Sequence, residues 1–357
     1  MHFVRPAGVK SLVVLGALAA LGCEVLLGAN DYELFPASPA GVDASSPDAA
    51  STTDAGSDAP AGPFVLEVLA AGQNQPRGIA VDNDRVYWAN QGDGTIAARD
   101  KATGPRPIDQ LADAAVSPRG LALDATQIFW PSDTNGGCTK GILKRPKSGP
   151  GTVTLAQCTD TLNRINGFGV DGTLVYWTTH PSYQALFGVS KEGGAVLTLA
   201  GLQGGQPDAL AVAPDAVYFT NPPLAKVVRF DKGTQTVAPV AVGYKGLGPI
   251  TADANHVYFA TSVTLHRVLG TAVVTDLDAG PSAETLATGQ DGPAGLALFG
   301  EHLYFTTAGG GTVARVAKAG GAVEVLATDQ LGARSIAVDA TGVYFTRDTG
   351  EIARLVQ

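Results

Sequence analysis

Seven positions in this chain lie ten residues ahead of a recurring tyrosine or phenylalanine: Arg77, Arg119, Asn166, Asp208, Gly248, Ala294 and Arg334. Three of them are arginines. A guanidinium presents a planar fork of donors, so three on one sector could clamp a carboxylate, phosphate or sulfate. The competing reading has them bond to backbone carbonyls or nearby acids and close the opening they surround. Asn166 and Asp208 are the other polar members of the set, and turn capping is the plain reading of both. No nucleophile constellation stands beside them. There is no G-x-S-x-G elbow, no H-E-x-x-H and no phosphate-binding glycine loop after a strand; "TAGGGTV" (307–313) reads as a turn. Of the five histidines, His256, His266 and His302 fall at or near apolar strands and read as structural, and His2 falls in the N-terminal segment read below as a signal peptide. His180, in "TTHPSYQAL" (178–186), sits on a longer loop.

The elements that must position these residues repeat. The aromatics that mark the count are Tyr87, Phe129, Tyr176, Tyr218, Tyr258, Tyr304 and Tyr344, each in a triplet such as VYW or VYF, spaced by 42, 47, 42, 40, 46 and 40 residues. Several short strands per repeat of about 40–45 residues are the signature of propeller blades. The first unit reads "GIAVD" (78–82), "RVYWAN" (85–90), "TIAARDK" (95–101) and "PIDQLA" (107–112) as four strands. The seventh stops after three, and "FVLEVLAAGQNQPRGIAVD" (64–82) matches "AVEVLATDQLGARSIAVD" (322–339). Residues 65–70 should therefore supply the last blade's fourth strand and remove exposed sheet edges. The expected fold is all-β, a seven-bladed β-propeller of four-stranded blades over 64–357. The mouth of its central channel is ringed by the seven positions above. Asp82, Asp124, Asp171, Asp253 and Asp339, five residues before each marker, should cap the turn between first and second strands.

Composition agrees. Glycine makes up 45 of the 357 residues, nearly twice the usual share of roughly 7%, as many tight turns require. The net charge of −9, with no Lys/Arg run, argues against a nucleic-acid partner. Residues 1–22 read as a signal peptide, with Arg5 and Lys10 ahead of the apolar run "SLVVLGALAALG" (11–22), too short to span a bilayer as a helix. The run ends in Ala20-Leu21-Gly22-Cys23, which resembles a bacterial lipobox with Ala20 where leucine is usual. The resemblance implies lipidation at Cys23 and a membrane-anchored protein of the cell envelope, outside the cytoplasm. Residues 23–63 then form a tether; from residue 35 on they are Ala, Ser, Pro, Asp and Gly with little apolar surface to bury. Cys138 and Cys158 lie symmetrically about "KSGPG" (147–151), a hairpin turn. A disulfide between them, the alternative being two free thiols, would close about 21 residues and contribute about 3 kcal/mol.

The blades also resemble known propeller repeats. "VYWTT" and "VYWAN" are similar to YWTD repeats, and "GIAVD" followed by an aromatic strand is similar to NHL and gluconolactonase-type blades. "INGFGVD" (165–171) and "QPDALAVAPDAVYF" (206–219) resemble strand openings at which gluconolactonase-type enzymes hold a divalent metal. That resemblance implies Asn166 and Asp208 as metal ligands, with Asp208 beside the reacting lactone. The family's further glutamate is replaced here by Arg77 or Arg119. Antibiotic-lyase propellers of similar blade sequence use a channel-mouth histidine as base, which implies a role for His180. The favoured expectation is a monomeric, membrane-tethered envelope propeller with no cofactor. It binds a protein or glycan partner through mouth loops such as 131–141, 178–186 and 271–284, with Arg77, Arg119, Arg334, Asn166 and Asp208 as contact residues. A metal-dependent lactonase-like hydrolase or lyase and a purely structural protein are the alternatives.

Overall fold

Alternation along the aromatic strands dictates the architecture. Successive side chains of a strand point to opposite faces, and in each triplet both faces are buried: Val86, Tyr87 and Trp88 are 0%, 1% and 0% exposed. The computed structural model describes residues 63–357 except 114, 116, 135–136, 158–164, 180–183, 203 and 277–281, with backbone alone at 133–134 and 137–140. Residues 1–62 with Cys23, and also Cys158 and His180, thus lie outside the described residues, and Cys138 is described by its backbone only. The described residues form seven antiparallel sheets of four strands. Val86 and Trp88 pack with Tyr344 and Ile352 of the preceding blade, whereas Tyr87 packs with Ile128 and Trp130 of the following one. The same division holds in all seven triplets, so the seven core clusters are interfaces between successive blades.

The innermost strands are Pro76–Val81, Ala122–Leu123, Ile165–Val170, Leu210–Val212, Ile250–Ala252, Pro293–Phe299 and Ala333–Asp339. Blade 7 continues through Gly342–Arg347 and Glu351–Val356, and Val65–Ala70 completes it, with Val65 opposite Val356 and Val68 opposite Ala353. The ring closes as its sequence implies. The 147–151 hairpin is also present, between strands Gly137–Pro146 and Val153–Ala156. Two expected loops need correction. Residues 131–141 are mostly the extended ends of strands Gln127–Thr134 and Gly137–Pro146, because the ladder continues to Thr134 opposite Gly137. Leu265–Leu269 and Glu284–Ala287 are the third and fourth strands of their blade, so the connection across 271–284 leaves and re-enters at the face opposite the channel mouth, residues 277–281 lying outside the described residues.

That opposite face carries a device the blade motif only half reveals. Asp82 Oδ1 accepts the backbone N–H groups of Asp84 and Arg85 and its Oδ2 accepts the Tyr87 hydroxyl, and Asp171 and Asp253 repeat the arrangement. Each carboxylate also takes a lysine from the next blade: Lys147 on Asp82 (2.9 Å), Lys191 on Asp124 (2.6 Å), Lys232 on Asp171 (2.7 Å), Lys318 on Asp253 (3.4 Å), and Lys101 on Asp339. In blade 4 the acid position is Ala213, and in blade 5 the lysine position is Gly270. There the Tyr218 hydroxyl donates to the Gly270 carbonyl instead (3.1 Å).

Burial by itself would raise the Asp171 carboxyl, but the Leu174 and Thr173 N–H groups, Lys232 and Tyr176 together hold it down at about 2. A carboxyl depressed in the folded state contributes stability above its unfolded value near 4 and loses it as pH falls toward the folded value. For Asp171 that contribution is about 2 kcal/mol, lost between about pH 4 and pH 2. Urea midpoints measured across this range should fall steeply. In Lys232→Met, which removes one cause of the depression, the fall should be shallower; an identical pH profile would show that the pair does not carry it.

Candidate functional site

The first strands open onto the channel mouth, and the chain enters several of them through a left-handed residue. Two positions before the mouth residue, φ is positive at Gln75 (54°), Ser117 (47°), Gly246 (66°), Gly292 (67°) and Gly332 (72°). Blades 1 and 2 use non-glycine residues there, at a strain of roughly 1 kcal/mol or more each. Those two openings belong to the sector of Arg77 and Arg119.

The structure brings Arg77 and Arg334 together on one acid. Arg77 Nη1 lies 2.6 Å from Asp348 Oδ1, and Arg334 Nε lies 2.7 Å and 2.9 Å from the two oxygens of the same carboxylate. Arg77 Nε also donates to Gln91 Oε1 (3.1 Å), and Gln91 Nε2 donates to Ser117 Oγ (3.1 Å). A polar chain therefore crosses blades 7, 1 and 2 along the mouth. Its Arg77–Asp348–Arg334 part holds two cations on one anion and stays accessible, with side chains 27%, 38% and 40% exposed in that order. The Arg334 hydrogen bond holds the Asp348 carboxyl below the usual carboxylate range against its partial burial, and the Arg334 guanidinium is raised in turn. Arg119 lies half-buried in the segment leading to Ala122–Leu123.

Asn166 and Asp208 open neighbouring inner strands. Asn166 Nδ2 donates to the Pro207 carbonyl (3.2 Å), and Asp208 is exposed. The inner strands run so close here that a β-carbon on Gly167 would lie 2.4 Å from the Asp208 carbonyl oxygen. One carboxylate and one amide, with arginines at Arg77 and Arg119, fall short of the six to eight oxygens of a calcium site. No group of three or more His, Cys, Asp or Glu side chains able to hold a metal occurs among the described residues. The donor set therefore does not fit a hard cation.

Two features escape the reading of the sequence. Asp348 and Gln91 each lie four residues past a marker aromatic, so a forward count of four would have found a second ring of mouth positions. By the same count His180 falls four residues past Tyr176 in the sequence, outside the described residues. Threonines two residues past the marker, each 0% exposed, tie one blade to the next. Thr178 donates to the Asp208 carbonyl (3.1 Å), Thr220 to that of Gly248 (3.5 Å), and Thr306 to that of Arg334. These bonds fix the backbone of the mouth residues themselves.

Comparison with known proteins bears on the fold. No protein-family model matches the chain, and no curated protein matches it. Among solved structures, a catalytically inactive virginiamycin B lyase from Staphylococcus aureus with quinupristin is similar at a TM-score of 0.65 and 16% identity, over 82% of this chain and 99% of that one. The Cps50 (Swd1) β-propeller domain of Myceliophteria thermophila gives 0.62 at 11% identity, over 81% and 99%. YCF48 bound to D1 peptide gives 0.61 at 10%, over 83% and 98%. At such identities the likeness is one of fold alone.

Proposed function

We propose that this propeller is a cell-envelope binding head, tethered through Cys23, whose channel mouth takes a carboxylate-bearing protein partner. The observation that carries it is the pair of guanidiniums sharing Asp348 at an accessible site on an acidic chain. Asp348 occupies the cluster as a partner's carboxylate would, and the two arginines retain unused donors for a second one. Arginine anchors of this kind dominate protein interfaces. Arg119, Asn166 and Asp208 supply the adjoining rim. A propeller fold serves such recognition, as in the peptide-bound YCF48. A disulfide between Cys138 and Cys158 would brace the blade 2 hairpin in an oxidising envelope. The hydrolase or lyase reading would have to work through Asp208 and His180 without a cation.

The test is cross-linking of the full chain in its native envelope, followed by affinity measurement on the captured partner. Arg77→Ala/Arg334→Ala should weaken binding by about thirtyfold or more, a loss of about 2 kcal/mol or more. Lys232→Met, on the opposite face, should not. Equal capture by both variants would sink the proposal, and loss of capture on treatment with glycan-degrading enzymes would transfer it to a glycan. Cys23→Ser should move the protein from the membrane to the soluble fraction.

A further inference from the structure

The interface between blades 1 and 2 opens at its rim into a cleft of about 550 Å³, whose lining includes Leu111, Ala115, Trp130, Leu143, Arg145 and Thr152. Two of these residues could face a ligand: one has an unpartnered N–H, the other a buried charge held by backbone carbonyls alone. Trp130 is 0% exposed and its Nε1–H has no acceptor among the described residues. Arg145 is 9% exposed; its Nη2 donates to the Gly149 carbonyl (2.5 Å) and its Nε to that of Pro146 (3.4 Å). Its guanidinium is lowered by burial with no acid opposing the shift. Asp113 also lines the cleft, but no ion pair joins it to Arg145 among the described residues, and a buried charge without a paired counter-charge is unfavourable and is relieved by an anion.

The repeat shows which group is missing. Trp88 holds the equivalent position in blade 1, and its Nε1 donates to Gln73 Oε1 at 2.8 Å. Gln73 lies four residues ahead of Arg77, as Ala115 lies four ahead of Arg119. Their backbones correspond: Gln73 N donates to the Gly350 carbonyl and Ala115 N to that of Gly94, both at 2.9 Å. Blade 2 thus has a methyl where blade 1 has an amide, and the cleft opens beside that methyl. Trp177, the blade 3 equivalent, also lacks an acceptor among the described residues; Trp130 combines that lack with a cleft and a buried cation.

We propose that this cleft binds a small amphiphilic carboxylate, with its anionic group on Arg145, an acceptor on Trp130 Nε1 and its apolar body against Leu111, Ala115 and Leu143. The site is independent of the channel mouth.

Benzoate is the probe, and benzamide its neutral counterpart, titrated into the ¹⁵N-labelled full chain while the three indole N–H resonances are followed. Benzoate should shift the Trp130 resonance and leave those of Trp88 and Trp177 in place. Benzamide should bind about tenfold more weakly or worse. Arg145→Gln should weaken benzoate roughly ten- to hundredfold, as expected for a lost charged hydrogen bond. Ala115→Gln, which supplies the missing amide to Trp130, should weaken it comparably in a folded protein. No Trp130 shift up to about 20 mM benzoate, a weak millimolar limit, would overturn the proposal. So would equal binding of benzamide, or an unchanged titration in Ala115→Gln.

Discussion

Deleting residues 64–70 should cost more than about 5 kcal/mol, enough to bring a domain of ordinary stability to the edge of unfolding. Leu69 and Ala70, 8% and 4% exposed, pack in the interface between blades 7 and 1. Burial of the leucine alone is worth about 2 kcal/mol. Val65–Ala70 also pairs along Ile352–Val356, and each ladder bond adds about 1 kcal/mol. The electrostatic consequence is as severe. Arg354 is 5% exposed and forks onto Glu67, with Nε at 3.1 Å and Nη2 at 2.5 Å. Without Glu67 a nearly buried guanidinium loses its acid, the situation in which breaking an ion pair hurts most. The exposed edge of Glu351–Val356 would then invite pairing between molecules. Urea unfolding followed by tryptophan fluorescence, with size-exclusion chromatography, reads both effects. A monomer with an unchanged midpoint would mean that the ring does not depend on its closing strand.

Gly295→Ala should destabilise the protein by about 3 kcal/mol, at the upper end for overpacking. The added carbon would meet the Arg334 carbonyl oxygen at 2.2 Å and the Ile336 side chain at 3.1 Å. Neither is a flexible tip. The obstructed oxygen is the one that accepts the Thr306 hydroxyl, so the clash also displaces a mouth arginine and should weaken partner capture. Gly172→Ala, with nothing within 4 Å of the added carbon, is the control and should stay within about 0.5 kcal/mol of the parent. Equal melting of the two variants would show that the inner strands can move apart.

The sequence made the ring legible because its strongest signal, an aromatic strand covered on both faces, recurs at nearly constant spacing. The closing strand was legible for the same reason, since 64–82 and 322–339 repeat one text. The Asp82 family was read as turn caps, which it is. Its second partner was hidden: Lys147 is 65 residues from Asp82 and belongs to the next unit, so no local pattern joins them. Asp348 was missed because "RDTG" (347–350) reads as an ordinary turn, and nothing local marks one turn acid as the meeting point of two arginines. The length of the 271–284 connection does not reveal its face, because strand parity alone decides it: a link from third to fourth strand leaves from the side opposite the mouth.

The alternating triplet has a consequence for how such a chain can change over evolutionary time. A blade has no core of its own: the middle aromatic belongs to one neighbour and its two flanks to the other. Every unit therefore presents the same pair of complementary faces, and a duplicated or lost copy would find matching surfaces on both sides. The number of copies is then a question of curvature, of how wide a wedge each sheet makes. Chemistry written at the mouth can diverge from copy to copy, because the joints that hold the copies together are inherited with each one.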